Sequence, residues 1–179
     1  MLFRSIDLKP AYAESYVNLG LALKGKGRMD DAIDMFEHAI ELKPNLANAQ
    51  RGLNLMAQLL ATSNDVSVRN PKKAVDLAQQ LCKRTPTSGD FWNTLGVASY
   101  RAGDWQGAIA ALEKSVNLRN GGDGHDHYYL AMAHGRLDHK AEAQKWFERA
   151  VQGMEQNPSR NHQMQQLRNE AELLLGLKK

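Results

Sequence analysis

The chain has 179 residues, 42% of them hydrophobic and only five of them proline, enough apolar material for one extended folded domain and too much for a disordered chain. Its 23 Lys and Arg and 20 Asp and Glu leave a net charge of +3, but the two signs are interspersed, so no basic stripe for nucleic acid is expected. Cys82 is the only cysteine and excludes an internal disulfide, no secretory leader pattern opens the chain, and the apolar run Leu53–Ala61 is interrupted by Asn54 and Gln58, so the expectation is a cytoplasmic protein without a membrane span.

Residues 1–12 end on Ile6, Leu8, Lys9 and Pro10, which repeat as Ile40, Leu42, Lys43 and Pro44. The chain therefore reads as beginning inside a truncated repeat, with a helix stopping at Pro10 and with Leu2, Phe3 and Ile6 on a half unit that expects a preceding repeat or domain, or self-association. The first full unit, 13–46, carries Tyr16, Leu19 and Gly20, then Ala32, Phe36, Ala39 and Pro44. Tyr16, Leu19 and Leu23 fall on one helical stripe and Ile33, Phe36 and Ile40 on another, with Gly27 between them as the turn residue, so the unit is two antiparallel helices. Gly20 and Ala32 remove bulk where the pair must approach closely.

The second unit, 47–88, places Gln50, Asn54 and Leu81 at the same steps, keeps Ala74 and Pro86, and is about eight residues longer than its neighbours; the polar stretch 62–70 is read as an inserted loop, followed by an Asn70 cap and a first-turn Pro71. The third, 89–123, repeats Trp92, Leu95, Gly96, Gly103, Ala108 and Leu112, with Asn120 in the place of the proline. The fourth, 124–157, has His127, Leu130, Ala131, Ala143, Phe147 and Ala150, and requires Asp138 to take the turn conformation that glycine takes elsewhere. Residues 158–179 place Met164, Leu167, Ala171, Leu174 and Leu175 on one face among polar residues, as a capping helix does.

An aromatic residue, Leu-Gly, Ala, Phe, Ala and Pro at these intervals resemble the tetratricopeptide repeat. The resemblance implies an all-α, right-handed α-solenoid of antiparallel helix pairs, closed by the capping helix, and a function in holding other proteins. The segments Arg69–Ala78, Phe91–Ala98, Tyr100–Trp105, Tyr129–His134 and Ala171–Lys178 are also similar to the C-terminal repeats of large planctomycete-type bacterial serine/threonine protein kinases. No kinase signature accompanies them, so this likeness implies context and no activity.

In such a stack the first helix of each pair lines the hollow side. The stripe beside the packing stripe assigns the groove to Val17, Leu21 and Lys24; Arg51 and Leu55; Asn93, Val97, Tyr100 and Arg101; and Tyr128, Met132 and Arg136. Apolar anchors flanked by arginines suit a peptide or partner domain, acidic or phosphorylated. Related domains that clamp a terminal carboxylate use Lys and Asn where this chain has Val17 and Leu21, which disfavours that ligand. His125, His127, His134 and His139 invite a metal, but His127 and His134 fall on packing positions, and no metal or other cofactor is expected. No nucleophile stands with a base and an orienter, so no catalysis is expected either. The expected function is a non-catalytic interaction module; the competing one is an architectural spacer or self-association segment beside a kinase or other catalytic domain.

Overall fold

A computed structural model describes the backbone of residues 4–156 and 161–177, and the side chains of 12–155 and 164–177. These residues form α1 (Arg4–Gly25), α2 (Met29–Leu42), α3 (Ala47–Thr62), α4 (Pro71–Arg84), α5 (Gly89–Ala102), α6 (Trp105–Leu118), α7 (Gly124–Arg136), α8 (Lys140–Gln156) and α9 (Asn161–Leu174), with a short 3₁₀ turn at Val66–Val68. Helices pair in sequence order, α1 with α2 through α7 with α8, and each first helix also packs on its predecessor: α3 on α1, α5 on α3, α7 on α5. Among the described residues the second helices make no comparable side-by-side contacts, so the stack bends with α1, α3, α5 and α7 on the inside. This is the all-helical solenoid expected from the repeat.

The hairpin turns form where the chain tolerates left-handed backbone. Gly27 has φ 75°, Gly103 has φ 87°, and Asp138 takes the same region at φ 58°. The starts of α4, α6 and α7 are capped by side chains: Asn70 Oδ1 accepts from Lys73 N at 3.1 Å, Asp104 Oδ1 from Gly107 N at 2.9 Å, and Asp123 and Asp126 form a reciprocal capping box on α7. The insertion lies between Thr62 and Asn70, with Asp65 capping its 3₁₀ turn. One core runs through the repeats, and in it the Phe36 ring of α2 is wedged between Gly20 of α1 and Gly52 of α3.

Two features differ from the reading of the sequence. The helix end expected at Pro10 is corrected, because α1 is helical from Arg4 through Pro10 to Gly25. After Pro44 and Pro86 come the turn formers Asn45 and Thr87-Ser88, whereas Pro10 is followed by Ala11, the strongest helix former. Leu2, Phe3 and the Ile6 side chain, assigned to the half unit, lie outside the described residues, as do 157–160 and 178–179.

The second difference concerns the aromatic position of the repeat. Trp92 donates from Nε1 to the Pro86 carbonyl at 2.8 Å, Gln50 from Nε2 to the Pro44 carbonyl at 2.9 Å, and His127 Nε2 meets the Gly121 carbonyl at 2.8 Å. In all three units this residue spans six positions back to close the preceding turn. A side-chain N–H is what the position uses, which is why Gln and His can stand where Trp does. The same bond places Gly121, and not Asn120, in the slot occupied by Pro44 and Pro86.

Candidate functional site

The inner surface divides into two halves. On α1 and α3, Leu21 is 46% exposed, Arg51 is exposed, and Lys24 and Leu55 are partly so. Leu21 and Leu55 occupy equivalent places on neighbouring first helices, the first exposed and the second half-buried against the core. Val17, assigned to the same stripe, is buried in the core instead.

On α5 and α7 the assigned stripe is largely covered. Every residue from Asp126 to His134 is buried, and Tyr128 and Met132 are fully so, which removes both from an accessible groove. The cover is α9. A Cβ on Gly124 would lie 3.0 Å from Met164 Sδ, and one on Gly135 would lie 2.5 Å from Leu175 Cδ2 and 2.8 Å from Leu174 Cδ2. Early residues meet early and late meet late, so α9 runs parallel to α7, as each first helix does to the one before it. Glycine at both ends of α7 permits this approach. Tyr128 is held further by its ring against Phe147 and its hydroxyl 3.7 Å from Met154 Sδ.

Arg101 ties α9 down. Its Nη1 donates to Glu170 Oε1 at 2.6 Å and Nη2 to Glu170 Oε2 at 2.8 Å, with the Tyr129 hydroxyl 3.0 Å from Nη2. The guanidinium also lies over the rings of Tyr100 and Tyr129, 5.6 and 5.3 Å from their centroids. Burial pushes the Tyr129 phenol up, so the hydroxyl beside Arg101 stays protonated at neutral pH. Val97 and Tyr100 are buried, and the exposed Arg136 stands by the Tyr100 hydroxyl. Asn93 is turned to structure: its Nδ2 donates to Asp126 Oδ1 at 2.8 Å.

Asp126 was not among the assigned groove residues, yet it organises this end of the stack. It is 0% exposed, pairs with Arg119 Nη2, and accepts from the Asp123 backbone N–H at 3.1 Å as well as from Asn93. Its place at the third helical position after Asp123 was the available signal, since a capping box turns such a residue back toward the helix start. The histidines likewise serve packing. The His127 ring stacks on Trp146 with centroids 5.5 Å apart, and His134 is buried with its Nδ1 3.3 Å from that of His139. Cys82 is buried, which pushes its thiol up to about 11, away from the reactive thiolate.

Between α9, the inner helices and the 62–71 connection lies a cavity of about 1050 Å³, whose lining includes Gln58, Asn93, Thr94, Arg101, Gln166 and Glu170. Amide, hydroxyl, charged and aliphatic side chains share its lining, and Gln58 Nε2 bridges to Thr94 Oγ1 at 3.2 Å. Among the described residues no helix is long and apolar enough to cross a membrane.

Comparison with known proteins agrees with this architecture. Two profiles of the tetratricopeptide repeat match, over residues 13–46 and 64–125, together more than half of the chain. No curated protein sequence matches. Among solved structures the chain is similar to MamA residues 41 to end from Desulfovibrio magneticus RS-1, with TM-score 0.65, 21% identity, and coverage of 82% of this chain and 78% of that one. A further MamA crystal structure gives TM-score 0.68 at 18% identity, covering 92% of this chain and 88% of that one. A thermophilic repeat protein of Thermus thermophilus gives TM-score 0.61 at 18% identity, covering 92% of this chain and 83% of that one. The motif, the stacked hairpins and the two profile matches together make this chain a member of the tetratricopeptide repeat family.

Proposed function

We propose that the chain is a non-catalytic protein-interaction module that takes a peptide or partner domain along its hollow side. The observation that carries this reading is the open half of that side: Leu21 at 46% exposure in line with Leu55, flanked by the cationic Lys24 and Arg51. An exposed and a half-exposed leucine beside arginine favour a ligand that offers apolar side chains and carboxylates or phosphates. The family membership supports the same assignment, because stacked repeats present an extended inner surface. The cytoplasm, where such partners are met, is the proposed location.

The test is capture of a binding partner by the full chain and its variants. A partner retained by the unaltered chain and by Gln79→Ala, an exposed change on α4, is expected to be lost with Leu21→Asp plus Leu55→Asp and weakened by Arg51→Glu. Unchanged helical circular dichroism would show that the fold survives. Retention by the double aspartate variant would refute the assignment and favour the competing role, a spacer or self-association segment beside a kinase or other catalytic domain.

A further inference from the structure

The contact pattern of α9 sets it apart from the other inner helices. Among the described residues α5 and α7 each lean on both helices of the preceding pair, whereas α9 packs chiefly on α7 and only lightly on α8. It is displaced toward the hollow side, where Glu170 reaches Arg101 on α5, one repeat further back. α9 therefore occupies groove surface and not simply the end of the stack.

Its fit there is incomplete. Met164, Leu167 and Ala171 are buried, but Leu173 is 77% exposed, and the cavity of about 1050 Å³ remains beside Gln166. A helix with larger side chains on that flank would fill space that α9 leaves open, gaining contacts that α9 lacks. The charge requirement is specific: Arg101 offers a planar two-pronged donor, steadied by Tyr100 and Tyr129, and Glu170 answers it with both carboxylate oxygens.

We propose that α9 is an internal placeholder in a helix-binding groove, and that the external ligand is an amphipathic helix of another protein with apolar residues at the spacing of Met164, Leu167, Ala171 and Leu174 and a carboxylate at the place of Glu170. This rests on the hollow side being the binding face, but on a different part of it: the ligand takes the α5–α7 half once α9 leaves, while Leu21, Arg51 and Leu55 serve the other half. A second copy of the chain would bring an identical α9 and gain nothing over the resident one, so a helix of different sequence is the favoured occupant.

The experiment uses the full chain and, as probe, a fluorescent synthetic peptide of residues 161–177. The unaltered chain is expected to bind it weakly, and a Glu170→Ala chain at least ten-fold more tightly because the resident helix has lost its clamp. The same peptide carrying Glu170→Ala should lose that gain. Equal affinity for both chains would overturn the proposal. If the Glu170→Ala chain does not fold, amide exchange in the unaltered chain decides: exchange in α9 at least a hundred-fold faster than in α5 and α6 supports displacement, and exchange at their rate overturns it. Light scattering that shows the chain dimerising on loss of the clamp would also overturn it, by making a second copy the occupant. Leu21→Asp and Leu55→Asp should leave peptide binding unchanged, so failure of the interaction reading and failure of this one are told apart.

Discussion

The Phe36 ring fills the space left by the missing side chain of Gly52, so that α2 and α3 touch through an aromatic ring and bare backbone. A methyl group at Gly52 would overlap the ring, and Phe36 is fully buried with Gly20 on its other side. Gly52→Ala is therefore expected to destabilise the chain by about 1–3 kcal/mol through overpacking. Gly153, in the last turn of α8 with nothing within 4 Å of a built Cβ, is its control: Gly153→Ala is expected to stabilise, by up to roughly 0.5–1 kcal/mol. Urea denaturation of the two variants checks both signs.

Asp126 is the buried charge on which α5, α6 and α7 converge, through Asn93, Arg119 and the Asp123 backbone. Asp126→Ala would leave the Asn93 amide and the Asp123 backbone N–H without that acceptor, while Arg119 keeps Asp123 and Ser115, a loss expected to cost about 1–3 kcal/mol. Thermal unfolding should show it.

His127 makes stability depend on pH. Burial holds its pKa below the ordinary 6.5, aided by Arg149 and opposed by the Gly121 carbonyl. That carbonyl accepts from Nε2–H, while Nδ1 is buried without a hydrogen-bond partner, so protonation would place an unanswered N–H in the core. A folded-state pKa below the unfolded one means the contribution is complete above about pH 6.5 and is lost as pH falls through that value toward the folded pKa. His134, held low by burial and by His139, acts in the same direction. The urea midpoint is expected to fall between about pH 7.5 and about pH 5, and to fall less in His127→Phe.

Gln50 tests the rule that the aromatic position needs a donor. It gives a hydrogen bond to the Pro44 carbonyl and receives one from the Thr85 hydroxyl at 3.2 Å. Gln50→Leu keeps the approximate volume but strands both partners, at an expected cost of about 1–2 kcal/mol. Trp92→Phe removes the Nε1 donor to Pro86 together with part of the indole's packing, and because the stranded carbonyl lies at a more exposed site the hydrogen-bond share of its cost should be smaller. Chemical denaturation of the two variants measures the two costs.

Much of the scaffold was legible from residue types. Gly27, Gly103 and Asp138 mark their turns because left-handed backbone is a local demand, and Asn70-Pro71 marks the start of α4 because a cap and a first-turn proline act within one helical turn. Gln50 and His127 were harder to place. Their equivalence to Trp92 lies in an N–H aimed at a carbonyl, and a pattern of aromatic residues does not record it.

Apolar spacing by itself determined the helices and their pairing, because both follow from the 3.6-residue period and from contacts between neighbours in sequence, and it nominated a stripe for the hollow side. Whether that stripe meets solvent was decided only in three dimensions. Leu21 and Met132 hold matching places on the first helices of the first and fourth units, yet one is open and the other fully buried. The difference comes from α9, seated by Gly124, by Gly135 and by a pair between Arg101 and Glu170 that spans 69 residues of chain. Burial of a surface by a distant segment depends on long-range packing, which no local period encodes.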